Sequence, residues 1–567
     1  MAVGRAREGS REDIDPRWTP EELRDRASAL LRSVVDDADA SGVVVGLSGG
    51  VDSSTTAALA VDALGADAVT GLLLPSDGSV EENLADAREV ATDLGIDHAT
   101  VSLTPAVEVF KRHVAPRIAP RGDEYAAGNF SARLRMACLY FVANVEDRIV
   151  VGTSNRTERL LGYFTKHGDG AADVAPLGEY DKTEVRALAE HLGVPSGIVE
   201  KSPTAGFWEG QTDEEELGAG YDTLDRALRA IVDRGESPTD ADSEPSSAGL
   251  DVDPTVVDTQ LDRLRASAHK RSRPPTPSRT VRDPGSQPRF ATDPEASAAV
   301  ADAVAGFVRE RVAAAGAEGV VVNVSGGLDS SVACAVASEG LGPDRVIGLH
   351  LPCHMADDMG TPDPGDLATD LGIDYARVNV RPLVSELEAA MPAELSNRAG
   401  TRELGNLVAR VRMACAYYVA NTTDRLVLGT NNRTERLLGY FTKHGDGGVD
   451  IQPLAGMYKT EVRALGRSLG LPDPVIDQEP TAGFEIGRTD EDALGADYDT
   501  IDAVLARLVD RDEGIARTAS ALGVDEATVR RFARLHAETG HKRSRPPTTE
   551  NDRGDDRYFH ELELKFE

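Results

Sequence analysis

Residues 152–170, Gly-Thr-Ser-Asn-Arg-Thr-Glu-Arg-Leu-Leu-Gly-Tyr-Phe-Thr-Lys-His-Gly-Asp-Gly, return at 429–447 with one change, Ser154 to Asn431. The same offset of 277 residues carries Ser48 to Ser325, Cys138 to Cys415 and Tyr221 to Tyr498 without a gap. Solenoid units recur every 20 to 50 residues or so. A period this long is a duplicated domain, so the two halves must share one fold.

Each half opens on the same signal. Val43-Val-Val-Gly-Leu-Ser-Gly-Gly-Val-Asp-Ser-Ser54 and Val321-Val-Asn-Val-Ser-Gly-Gly-Leu-Asp-Ser-Ser331 run a β-branched strand into a turn of Ser, Gly and Asp. An Ala-rich helix is predicted from Thr55 to Leu64. Backbone N–H groups at such a helix start form an anion cradle, and glycine lets a phosphate chain approach closely. A carboxylate facing phosphate repels it unless a cation intervenes, so Asp52 reads as a Mg²⁺ ligand. The pattern lacks the Lys-Ser/Thr of a Walker loop. Ser-Gly-Gly-x-Asp-Ser instead resembles the loop of the N-type ATP pyrophosphatases, which cleave ATP between its α and β phosphates.

The chain has 567 residues and a net charge of −35, with nine lysines against 52 arginines. Such acidity opposes nucleic-acid binding through phosphates. With so little lysine it suggests adaptation to high salt, where screening makes the charge tolerable. Six of the nine lysines pair between the halves: Lys166 with Lys443, Lys182 with Lys459, Lys270 with Lys542. An ammonium is needed at those places. Cys138, Cys334, Cys353 and Cys415 show no Cys-x-x-Cys spacing, which fits a reduced cytoplasm and buried packing in place of zinc or disulfides. No run of about 18 apolar residues predicts a membrane span, and the polar stretch from Met1 to Pro20 does not read as a secretory signal.

Along the first half, Thr19-Pro-Glu-Glu22 opens a helix over 20–40. Strands are predicted at Ala68–Leu74, His98–Leu103 and Arg148–Val151. Helices are predicted at Glu81–Leu94, from Gly128, after Gly152–Glu158, and from Glu179 to about Gly193. Strands alternating with helices imply a doubly wound parallel sheet in each half, with ligands at the strands' carboxyl ends. Lys201 to Glu215 reads as a mobile loop and Gly235 to Pro254 as an acidic disordered insertion. The expected division is 1–274, a linker at 275–288 rich in Pro, Ser, Arg and Gly, and 289–567.

Five ordered motifs together resemble the ammonia-dependent NAD synthetase family, over nearly all of each half. They are Ser-Gly-Gly-x-Asp-Ser, Gly-Asn-x-x-Ala-Arg-x-Arg-Met, Gly-Thr-x-Asn-x-x-Glu, Gly-Tyr-Phe-Thr-Lys-x-Gly-Asp-Gly and a late His-Lys-Arg before prolines. The resemblance implies an α/β, adenine nucleotide alpha hydrolase-like fold in each half. The family's homodimer, with dinucleotide at the subunit interface, would here be a fused intrachain pseudo-dimer. The implied reaction is ATP-dependent amidation of deamido-NAD by ammonia, giving NAD, AMP and diphosphate through an adenylated carboxylate.

The resemblance places Mg²⁺ on Asp52 and Glu158, and on Asp329 and Glu435 in the second half. Catalytic roles fall on Asp52, Lys182, Asp329 and Lys459. ATP contacts fall on Gly46, Leu47, Ser48, Gly49, Gly50, Val51, Asp52, Ser53, Thr153, Lys182 and Thr204. Their counterparts are Asn323, Val324, Ser325, Gly326, Gly327, Leu328, Asp329, Ser330, Thr430, Lys459 and Thr481. Deamido-NAD contacts fall on Arg133, Lys166, Asp173, His269 and Lys270, and on Arg410, Lys443, Asp450, His541 and Lys542. Three features depart from the family pattern: Gly206 and Gly483 stand where an Asp is common, and Gly46 becomes Asn323. The alternatives are another N-type ATP pyrophosphatase, GMP-forming or RNA-thiolating, or a fusion of one catalytic and one regulatory half. The thiolating reading needs catalytic cysteines and RNA binding, which cysteine setting and charge oppose.

Overall fold

A computed structural model describes residues 17–76, 80–204, 211–233, 252–277, 290–353, 362–479 and 489–549. Outside these lie Thr481, Gly206 and Gly483, most of the acidic insertion and most of the linker.

Each half holds a four-stranded, all-parallel sheet. In the first, β1 (Val43–Gly46), β2 (Val69–Leu73), β3 (Asp97–Thr100) and β4 (Ile149–Val151) lie in the order β3-β2-β1-β4. In the second, β5 (Gly319–Asn323), β6 (Val346–His350), β7 (Asp374–Arg377) and β8 (Arg425–Leu428) repeat it as β7-β6-β5-β8. The order reverses beside the central strand, with Val43 facing both Val69 and Ile149. A crevice opens at the carboxyl end of that strand, where doubly wound sheets bind ligands.

The first helix, Pro20–Asp37, starts at a capping box in which Thr19 and Glu22 satisfy each other's backbone N–H groups. Several boundaries differ from expectation. The loop helix begins at Val51, capped by Gly50, four residues before the expected start. The turn-like Asp52-Ser-Ser is already helical because an acid in a first turn suits the helix dipole. The helix expected from Gly128 runs Glu124–Glu146, started by the Asp123 carboxylate. Strand β3 stops at Thr100, short of Leu103. Pro254, the last residue of the expected insertion, opens helix Pro254–Ala266.

The halves pack through helices Glu124–Glu146 and Thr401–Thr423, and a single apolar cluster draws residues from both. Cys138 and Cys415 lie in it fully buried. Phe110 stacks on Phe130 at 3.5 Å between centroids and meets the edge of Tyr418, from the other half, at 4.8 Å. Gly122 lets that tyrosine in: a Cβ there would lie 1.9 Å from its hydroxyl. Two proline arms tie the halves further. Pro275 O accepts from Gln452 N at 3.0 Å, and Pro547 O accepts from Ala175 N at 3.0 Å. The start of the linker therefore seats on the second half, and the second half's own proline arm seats on the first.

Candidate active site

The anion loop is built by its own hydroxyls. Ser48 N donates to Ser53 Oγ at 3.2 Å, Ser53 Oγ donates to Gly50 O at 3.1 Å, and Gly50 N donates to Ser48 Oγ at 3.3 Å. Gly49 sits at φ +77°, and a Cβ on it would strike Asn83 O at 2.0 Å, so only glycine serves. No side chain caps helix Val51–Leu64. Its first-turn N–H groups have no intrahelical acceptor and face the crevice mouth with the dipole's positive end. Ser325, Gly327 and Ser330 reproduce these bonds in the second half.

Beside the loop, strand β4 delivers a second cluster. Asn155 caps helix Arg156–Leu161, accepting from Glu158 N at 3.0 Å, and its Nδ2 donates to Asp52 Oδ1 at 2.9 Å. Lys182 Nζ donates to Asp52 Oδ2 and, at 3.1 Å, to Glu158 Oε1. Three sequence-distant residues, Asp52, Glu158 and Lys182, thus meet at one point. The second half repeats this with Asn432 Nδ2 on Asp329 at 3.0 Å and Lys459 Nζ between Asp329 and Glu435.

Burial raises the Glu158 carboxyl to about 7, against the pull of the Lys182 ammonium and with the help of the Asp52 charge. Burial and Asp329 push Glu435 up to about 8. Burial works against the Lys182 charge, but Asp52 and Glu158 outweigh it and hold the ammonium above its ordinary value. Two carboxylates sharing one ammonium remain short of positive charge. That oxygen-donor set fits a hard divalent cation such as Mg²⁺, which would be held by Asp52 and Glu158, and by Asp329 and Glu435.

Lys182 is fixed from beneath. Its backbone N donates to Thr157 Oγ1 at 3.1 Å, and Thr157 donates to buried Asp225 at 2.5 Å. Tyr221 lies under the ammonium, 5.0 Å from Nζ to ring centroid, and donates to Asp213 at 2.8 Å. Asn155, Thr157, Asp213 and Asp225 were not among the sequence's site candidates. Asn155 stood inside a quoted motif and the others recur in both halves, which was the available signal.

The dinucleotide candidates assemble between the halves. Lys166 Nζ donates to Asp450 Oδ1 at 2.6 Å, and Lys443 Nζ donates to Asp173 Oδ1 at 2.6 Å. Asp173 also accepts from Tyr140 and Val150 N, so its oxygens are largely engaged within the protein. Arg133 lies 4.2 Å above the Tyr417 ring and donates to Lys166 O; Arg410 lies 4.6 Å above Tyr140 and donates to Lys443 O. Burial draws both guanidinium groups down to about 10. Lys270 Nζ donates to Gly162 O and Phe164 O, both at 2.7 Å, and so fixes the turn that carries Lys166. Lys542 does the same through Gly439 O and Phe441 O. Burial and Lys443 push His541 down to about 3, making it a neutral imidazole at pH 7 and not a cation for phosphate. His269 is exposed. Thr153 and Thr430 flank the crevice after β4 and β8, partly buried; Thr204 is exposed at the end of a described segment.

The profile of the family described as NAD synthase matches residues 23–274 and, a second time, 300–546. This chain belongs to the NAD synthase family. It is 47% identical over 267 residues to the NH(3)-dependent NAD(+) synthetase of Halobacterium salinarum, covering 47% of this chain and 97% of that one. It is 42% identical over 259 residues to the NH(3)-dependent NAD(+) synthetase of Methanocaldococcus jannaschii, covering 45% of this chain and 96% of that one. Nearly a whole relative therefore fits within half of this chain, as expected for a tandem NAD synthase.

Proposed function

We propose that the chain amidates deamido-NAD with free ammonia and ATP, releasing NAD, AMP and diphosphate as the last step of NAD biosynthesis. The observation that carries this is the meeting of Asp52, Glu158 and Lys182 beside an uncapped helix start, repeated at Asp329, Glu435 and Lys459. A nicotinate carboxylate resists ammonia because oxide is a poor leaving group. Attack of that carboxylate on the α-phosphorus expels diphosphate and leaves a mixed anhydride. Ammonia then adds to the carbonyl carbon, AMP departs, and the extra proton passes to solvent.

The loop N–H groups hold phosphate oxygens, and Lys182 exchanges its carboxylate partners for those oxygens once ATP is bound. Mg²⁺ on Asp52 and Glu158 would supply the charge that offsets the triphosphate. Arg133, Lys166 and Lys270 orient the dinucleotide's anionic groups, with Asp450 and Tyr417 contributed by the other half. On this reading 1–274 and 289–567 are two synthetase units that work as an intrachain pseudo-dimer. The carboxamides of Asn323 and Asn431, absent from the first half, favour as a second reading a second site tuned to regulation.

The test uses full-length protein in molar KCl with Mg²⁺, ATP, deamido-NAD and ammonium. AMP and NAD should appear in equal amounts, and glutamine should not replace ammonium. AMP release that ignores deamido-NAD would overturn the substrate assignment.

A further inference from the structure

At the carboxyl end of its sheet the second half carries three carboxamides that the first half lacks. Asn323 stands for Gly46, Asn431 for Ser154 and Gln452 for Ala175. The first half fills this region with an apolar side chain. A Cβ on Gly46 would meet Leu139 Cδ1 at 3.4 Å, whereas Ala416 takes the place of that leucine in the second half. Ala416 is fully buried and leaves room for the Asn323 side chain. A leucine plug has been exchanged for amide groups.

Register gathers the three carboxamides at one place. Val322 pairs with Leu428, so Asn323 falls beside Gly429 at the ends of β5 and β8. A Cβ on Gly429 would lie 3.2 Å from Gln452 Cγ, and Asn431 is two residues further on. Alternate residues of a strand share a face, so Asn323 follows Val321, and Gly429 follows Val427, toward helix Thr401–Thr423. Gln452 and Asn431 are buried, at 6% and 5% exposure. Gln452 Oε1, Asn431 Oδ1 and the Oδ1 of half-buried Asn323 are each sealed from solvent, without a hydrogen-bond partner among the described residues. The Asn431 amide nitrogen donates to the Asp446 carboxylate at 2.8 Å, and a carboxylate can only accept, so the oxygen is the unengaged end.

Buried acceptors left without a donor lose their hydration for nothing in return. One water has only two protons to offer three oxygens, whereas a cation engages them all. No carboxylate belongs to the set, so it does not suit Mg²⁺, and neutral amide oxygens replace the hydration shell of a monovalent ion. The Asp446 charge behind Asn431 adds attraction. We propose that the second half holds a monovalent cation, potassium or ammonium in kind, on the oxygens of Asn323, Asn431 and Gln452, at a site the first half does not possess. Asn323 lies two positions before Ser325 of the anion loop, so the ion braces that loop in one half only.

The test is anomalous diffraction from crystals of the full chain soaked in rubidium chloride, which needs no turnover and so does not depend on the proposed reaction. One rubidium peak per chain is expected among the three oxygens, and none beside Gly46. Competing soaks with potassium, sodium and ammonium chlorides show which ion displaces rubidium, and so distinguish a metal ion from ammonium. The variant Asn323→Gly/Ala416→Leu/Gln452→Ala copies packing that the first half already adopts, and it should lose the peak. In solution, replacing tetramethylammonium chloride by potassium or ammonium chloride at constant ionic strength should raise the denaturation midpoint of the parent chain by several degrees. The variant's midpoint should not move. Ordered water in place of rubidium, a peak that survives in the variant, equal peaks in both halves, or a parent midpoint indifferent to both cations overturns the proposal.

Discussion

Lys270 and Lys542 are the residues whose charge the fold leaves least secure. Burial lowers each ammonium to about 8. A cation with a depressed pKa is lost as pH rises through that value, so deamido-NAD should bind worse above pH 8. We expect its KM to climb by up to about tenfold per pH unit between pH 8 and 9.5. The Lys270→Met/Lys542→Met chain should bind worse at pH 7 but show no such rise. Asn155 supports the other end of the site, as helix cap and as the group that turns Asp52. In an Asp329→Asn background, so that only the first site reports, Asn155→Ala should cost about 1 kcal/mol of stability. The same change should cost about tenfold in kcat, read from denaturation and steady-state rates. An Asn155→Asp variant that restores the cap but not activity would separate the two roles. Asp52 and Glu158 were legible because each sits in a quoted motif, whereas a capping asparagine looks local in sequence and hides its reach of 103 positions to Asp52.

At the scale of elements, the central strands came through because their apolar runs are uninterrupted, as in Val43–Val45, all fully buried, whereas the edge strand Asp97–Thr100 is mostly exposed. The sequence's errors were at edges, where Gly50 and Asp123 act as caps that composition alone reads as turn. The crossings between halves were not legible. Nothing near Lys166 announces Asp450, 284 positions away, and only packing of helices Glu124–Glu146 and Thr401–Thr423 brings them together. The turn after helix Arg156–Leu161 shows how tightly these elements are fitted. Gly162 sits at φ +63°, and a Cβ there would lie 2.1 Å from the Cβ of Ser267. Gly162→Ala combines a disfavoured backbone with a clash between the Lys166 turn and the end of helix Pro254–Ala266. It should destabilise the chain by about 2 kcal/mol or more, seen as a lower denaturation midpoint. Gly193→Ala, also at positive φ but with open space around it, should cost less.

The whole molecule poses the question of whether two complete sites work independently. Asp52→Asn and Asp329→Asn each remove one carboxylate charge while keeping the Asn155 or Asn432 contact geometry within reach. If each site turns over alone, either variant retains about half the wild-type kcat with unchanged KM, and the double variant falls by about 100-fold or more. The reciprocal ion pairs argue for a sharper outcome. Lys166 and Lys443 each leave their own half to meet an acid of the other, so a movement that releases one lysine at its site reaches the opposite strand end through Asp450 or Asp173. Asp450 and Asp173 also accept from the backbone of β8 and β4, at Val427 N and Val150 N. Those strands lead directly into Thr430 and Thr153 at the crevices. Coupling of this kind leaves each single variant clearly below half activity, with a changed KM at the surviving site. Independent sites leave both KM values untouched. Steady-state kinetics of the two single variants, each fitted for kcat and KM separately, decide between them.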